Sequence, residues 1–180
     1  MQSIRLSPDE CAYIAVCNMP PDFREISQAA KSRKSYTLDV RILSINNSML
    51  LEAVRKGYGN GLSLLDYFEG MDDNGHNMQL FKKYKDAMAL LRRMNPSAFE
   101  DVREKIDGCS VKVGHRVGQK PEVWFPSGVR RAEINMEYLP EVADEDWFTI
   151  HGAYAIRKLN GSTTTEELKR LPGIWSGVLK

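Results

Sequence analysis

The stretch NMQLFKKYKDAMALLRRM, residues 77–94, decides the fold class. Leu80, Phe81, Tyr84, Ala87, Met88, Leu91 and Met94 recur in it at spacings of three and four, the apolar stripe of a helix with one buried face. Lys82, Lys83, Lys85, Asp86, Arg92 and Arg93 fall largely outside the stripe and can meet water. Asn95-Pro96 ends the helix, because a residue before proline is pushed out of the α region. Every periodic segment upstream reads as helix, and shortly downstream the period falls to two. The helix is therefore the spine between a helical half and a β-rich half.

Upstream, Ser7-Pro8-Asp9-Glu10 combines a capping serine, a proline at the first helical position and a glutamate three residues after the cap. A second helix is expected over Asp22–Lys34 with Phe23, Ile26, Ala29 and Ala30 as its stripe. A third is expected over Tyr36–Lys56, interrupted at Asn46-Asn47-Ser48 and capped by Gly57. Gly59-Asn60-Gly61 is a turn before a brief helix from Leu62 to Phe68, and Gly70 to Gly75 is a loop. After Asn95-Pro96 a short helix runs to Ile106, with Phe99, Val102 and Ile106 on one face.

From Ser110 the alternation is that of strands. Val111, Val113 and Val117 alternate with Lys112, Gly114 and Arg116, and His115 joins the valine side. Val123 and Phe125 oppose Glu122 and Trp124. Ala132, Ile134, Met136 and Tyr138 give the clearest half-buried strand pattern, and Trp147–Lys158 is the last strand region. Short connections favour an antiparallel meander. A final short helix is expected at Glu166–Leu171, broken by Pro172-Gly173, with Trp175 plugged against the core.

The expected fold is therefore α+β. A helical N-terminal part of about five to six helices packs with a small C-terminal antiparallel β-meander and a short final helix. The chain reads as one domain over residues 1–180, with subdomains 1–107 and 108–180 as the alternative. Apolar residues are 42% and charged residues 27%, ordinary for a globular chain. The net charge of +1 provides no global field toward nucleic acid or anionic membrane. Cys11, Cys17 and Cys109 show no disulfide or metal spacing and read as small, reduced, buried side chains in a cytoplasmic protein. No metal and no cofactor is expected.

Function is weakly marked. The preferred expectation is a binding or regulatory protein that meets a partner with a basic surface. Its contact surface would be the C-terminal sheet and the acidic run Glu141–Asp146: Trp124, Tyr138 and Trp147 would anchor the partner, and Asp144, Glu145 and Asp146 would steer it. The alternative is a nucleic-acid binder using Lys112, Arg116, Lys120, Arg130 and Arg131, with Trp124 in the same register to stack a base. The third reading is an enzyme of unknown reaction with His115 or His151 as an acid–base group beside a carboxylate such as Glu133. Against it, alternation places the two histidines on opposite faces. Helix-turn-helix, glycine-loop and calcium-loop readings fail on spacing, at 24–43, 57–61 and 72–76 respectively.

Overall fold

The structure, a computed structural model, describes residues 3–17, 24–40, 54 and 63–180. In chain order its elements are β1 (Ser3–Leu6), α1 (Pro8–Val16), α2 (Arg24–Lys31), β2 (Tyr36–Asp39) and α3 (Leu64–Glu69). Then follow α4 (His76–Met94), α5 (Pro96–Cys109), β3 (Val111–His115), β4 (Glu122–Phe125) and β5 (Gly128–Arg131). The last elements are β6 (Trp147–His151), β7 (Tyr154–Lys158), α6 (Ser162–Lys169) and α7 (Leu171–Leu179).

The chain is mixed α and β, as expected, but the two halves are not segregated. β1 and β2 pair antiparallel, Ile4 opposite Leu38, where sequence reading placed only helices. Tyr36–Asp39 is thus a strand, because Leu38 is buried as the inward residue of a two-residue period. The expected interruption at 46–48, the Gly57 cap and the glycine turn at 59–61 lie outside the described residues.

The five-stranded sheet is antiparallel, in the order β5-β4-β3-β6-β7. It is not a simple meander: β3 is central, with β4 on one side and β6 on the other. Residues 132–146 form the long link from β5 to β6. Ala132, Ile134 and Met136 do face inward, yet the only pairing in that segment is an isolated bridge from Asn135 to Tyr154. Their alternation reports packing onto the sheet, where they cover Val123, Phe148, Ile150 and Ala155. The opposite face, carrying Val111 and Val113, meets α1 and α6 and shares one core with α3 and the β1–β2 pair.

α4 runs as read, but its buried face is narrower. Leu80 and Met88 are buried against α5 and α7, whereas Met94 is 74% exposed. Pro172 does not break the C-terminus. It sits in the first turn of α7, where its missing N–H costs nothing, and α7 carries the fully buried Trp175.

One buried carboxylate ties the layers together. Glu69, at the end of α3, is 4% exposed. It accepts from the Tyr13 hydroxyl of α1 at 2.8 Å, the Thr149 hydroxyl of β6 at 3.4 Å and Arg157 Nε of β7 at 3.0 Å, and Arg157 Nη2 completes a bidentate pair. Loss of one partner of a buried ion pair leaves the other uncompensated. Glu69→Ala is therefore expected to lower the unfolding free energy in urea by about 3–5 kcal/mol, and Arg157→Met added to it to recover part of that loss. A loss below about 1 kcal/mol, typical of a surface pair, would remove Glu69 from this role.

Candidate functional site

The junction of α5 and β3 fixes the end of the sheet on which the site is built. Asn77, in the first turn of α4, donates to the Val111 carbonyl at 3.0 Å and accepts the Val111 N–H at 2.9 Å. It stands in for a neighbouring strand at the start of β3. The preceding residue, His76, contacts the Cys109 carbonyl through Nε2 at 2.8 Å. A carbonyl only accepts, so Nε2 carries the proton. Burial lowers the His76 pKa, which keeps the ring neutral.

Lys112 turns back over the end of α5. Its ammonium donates to the carbonyls of Asp107 at 2.6 Å and Ser110 at 2.9 Å, and reaches Gly108 at 3.4 Å. These are the orphan carbonyls at the negative end of the helix. The side chain is fully buried, because residues 132–142 cover the face of the sheet that carries it.

Around this junction lies a cavity of about 830 Å³, in the range of small-molecule sites. Its apolar wall includes Val16, Tyr67, Phe68, Phe125, Ile134 and Tyr154. Asp107 forms part of the polar wall. Its carboxylate accepts from Ser127 N–H at 3.0 Å, from the Ser127 hydroxyl and from Arg130 Nη2 at 2.9 Å, and the Arg130 guanidinium lies 3.6 Å from the centre of the Phe125 ring. Glu104, Lys105 and Glu133 also line the cavity.

Cys17, His76 and His151 converge in the same cavity. Cys17 Sγ is 2.8 Å from His151 Nε2. The Cys17 backbone is pinned as the cap of α1, its N–H shared between the carbonyls of Tyr13 and Ile14 at 3.2 Å. The His151 ring is enclosed by His76, edge-on at 5.3 Å, and by Phe68 and Tyr13 at 5.7 and 5.8 Å. Burial pushes the Cys17 thiol up to about 12, with Cys109 adding to the shift. Burial also pulls His151 well below its ordinary range, helped by His76 and Lys112. Thiol and imidazole are thus both neutral at pH 7, and the S–H donates to Nε2 in the tautomer that carries its proton on Nδ1. Nδ1 of His151 is buried with no partner at hydrogen-bonding geometry, although the Ser110 backbone is near enough to oppose the shift. Among the described residues no group of three or more His, Cys, Asp or Glu side chains is placed to hold a metal ion.

The residues named from sequence are placed differently. β3 pairs with β6 so that Val111 opposes His151 and His115 opposes Trp147, which puts both histidines on one face but at opposite ends of the ladder. They share no site. His115 stacks on Trp147 at 4.1 Å and lies 3.2 Å from Glu145. Trp124 and Trp147 are half-buried, 5.1 Å apart, and Lys169 of α6 sits 4.0 Å above the Trp147 ring. Tyr138 is 6% exposed, with its hydroxyl 3.1 Å from Ser27 Oγ, so it is unavailable as an anchor.

The acidic residues serve the loop itself. Asp144 accepts from Gly118 N–H at 3.3 Å; Asp146 accepts from Ala143 N–H at 2.9 Å and pairs with Lys158 at 2.8 Å. The basic residues do not form one ribbon. Trp124 shares the valine face with Arg131, whereas Lys112 and Arg130 lie on the other face. Lys112 is sealed from solvent, Arg130 pairs with Asp107, Lys120 with Glu133 at 2.8 Å, and Arg131 donates to the Val117 carbonyl at 3.0 Å. Arg116 is half-buried, its backbone N–H bonded to the Asp146 carbonyl at 2.9 Å.

Sequence reading missed Cys17 and His76 as site residues. Cys17 is 134 positions from His151, so no spacing could signal their meeting. No protein-family model, curated protein or solved structure matches the chain. Among the described residues no helix is long and apolar enough to cross a membrane.

Two variants test this geometry. Gly152, in the β6–β7 turn, has φ +58°, and a Cβ there would stand 2.9 Å from Val16 Cγ1. Gly152→Ala is expected to destabilise the fold by about 1–2 kcal/mol through the left-handed backbone alone, and to separate Cys17 from His151; a crystal structure retaining their contact would refute the second part. Burial brings the Lys112 ammonium from 10.5 down to about 7. Between those values the unfolded chain holds a proton that the folded chain has released, so this group's contribution to stability rises with pH there and is flat below about 7. Relative to Lys112→Met, the wild-type protein should therefore gain stability above about pH 7, by at most about 1.4 kcal/mol per pH unit. Parallel stability curves for the two proteins would sink the assignment.

Proposed function

We propose that the protein binds a small molecule in the Cys17–His76–His151 cavity. The occupant has a mostly apolar body and a small polar group directed at the thiol and imidazole. The observation that carries this reading is the cavity itself: about 830 Å³, walled by aromatic and aliphatic side chains, with a few polar groups converging in it. A buried thiol–imidazole contact that served packing alone would be sealed. This one borders space large enough for a ligand.

The reading displaces the protein-partner expectation because that surface's anchors and steering charges are engaged within the chain. Tyr138 is buried, Lys169 covers Trp147, and the carboxylates of Asp144, Glu145 and Asp146 meet Gly118, His115 and Lys158. It displaces the nucleic-acid expectation because Lys112 is buried, while Lys120 and Arg130 have carboxylate partners. The docking and nucleic-acid readings stand as the rivals that the same experiment weighs.

Titration of the full chain with the neutral dye N-phenyl-1-naphthylamine should show saturable binding at one site. Ala132 and Ala153 both line the cavity. Ala132→Trp and Ala153→Trp, which fill it, should each weaken binding at least tenfold, or about 1.4 kcal/mol, while leaving far-UV circular dichroism and the cooperativity of urea unfolding unchanged. Binding that ignores both substitutions would place the dye elsewhere and return the protein-partner reading to first place.

A further inference from the structure

We propose that Cys17 and His151 act as a nucleophile–base pair that takes an acyl group from a neutral, apolar ester or thioester held in the cavity. This rests on the cavity being a small-molecule site and names the class of molecule and its chemistry.

The argument begins with geometry. At 2.8 Å, nothing can sit between Sγ and Nε2. The imidazole is therefore positioned to take the thiol proton directly, the arrangement that activates a cysteine for attack. Both partners are held. Cys17 ends α1 with its N–H bonded to two carbonyls, and His151 ends β6 inside a ring of aromatic side chains. Glu69 binds Tyr13, one helical turn before Cys17, and Thr149, two residues before His151 on the same face of β6. One buried carboxylate thus sets the separation of the reacting atoms.

The surroundings select the electrophile. Val16, Phe68 and Tyr154 line the cavity with the pair and are apolar, while its cations Lys105 and Arg130 share the wall with the carboxylates of Glu104, Asp107 and Glu133, so the lining offers an incoming anion no net positive charge. A phosphate ester or a free carboxylate would lose its hydration there. A neutral carbonyl compound loses little, and its apolar chain gains from burial against the same walls. A neutral pair suits such a substrate, since charge need develop only as the sulfur attacks and the proton moves.

The step balances without an oxidant or a metal. The Cys17 sulfur forms a bond to the carbonyl carbon, and the C–O bond of an ester, or C–S bond of a thioester, breaks. The thiol proton passes to His151 Nε2 and then to the departing alcohol or thiol. Water, with Nε2 again as base, cleaves the acyl-cysteine to a carboxylic acid and restores the thiol.

The test incubates the full chain with p-nitrophenyl hexanoate and with p-nitrophenyl acetate, following p-nitrophenol release and the mass of the protein. Expected are saturable release, preference for the hexanoyl ester and one hexanoyl group on Cys17 by peptide mapping. Cys17→Ala should abolish that adduct and His151→Gln should slow acylation by about 10²–10⁴-fold, the usual reach of a general base. Cys11→Ala, which changes a buried thiol outside the cavity lining, should leave the rate unchanged. Dye binding is measured on every variant. If wild type binds the dye but carries no acyl group on Cys17, or if His151→Gln is folded and equally fast, the pair is not catalytic while the cavity reading survives. If wild type does not bind the dye, the cavity reading and this proposal fall together. Should His151→Gln lose the dye through misfolding, the location of the adduct and its loss in Cys17→Ala decide the matter.

Discussion

The architecture depends on the Glu69 carboxylate. An ionised group 96% removed from solvent is tolerable only when its lone pairs are occupied, and α1, β6 and β7 each supply a donor to it. The requirement locks three elements from distant parts of the chain in one relative position. Tyr13 also stacks on Phe68 at 4.8 Å, so the polar network is braced by an aromatic pair. The proximity of Cys17 to His151 follows from this arrangement and needs no bond of its own to enforce it.

A second constraint is that both faces of the sheet are covered. Helices take the valine face, and residues 132–142 take the other. A doubly covered antiparallel sheet leaves ligand access mainly at its ends. At one end β6 turns into β7 through Gly152, α5 delivers the chain into β3, and Lys112 caps the helix it has just left. The cavity lies where these junctions meet. Cys17 and His151 stand at the ends of α1 and β6, each placed by its own element, which suits a site that must keep a thiol and an imidazole in register.

Much of the fold was legible in the residues. The capping box at Ser7–Glu10 forms as read, since its two hydrogen bonds are local and depend on nothing else. The helix at 77–94 and the stop at Asn95-Pro96 were legible for the same reason: periodicity and proline act within a few residues. Strand pairing was less so. Ala132–Tyr138 alternates like a strand but packs as a covering segment, because alternation records which side chains are buried, not which backbone groups are paired. Lys112 and Tyr138 read as accessible residues yet both are buried, since polarity along a strand carries no information about what covers that strand.

By itself the sequence determined the mixed α and β class, the start of α1, the central helix and the two-residue period of the C-terminal strands. These are consequences of local sterics, local hydrogen bonding and the regular spacing of apolar side chains. Only the tertiary structure decided that Cys17 and His151 touch, that His76 joins them, and that the charged residues of the sheet are engaged with one another. Those contacts join positions up to 134 residues apart, and they arise from the burial of Glu69 and the register of β3 on β6, neither of which has a signature in local sequence.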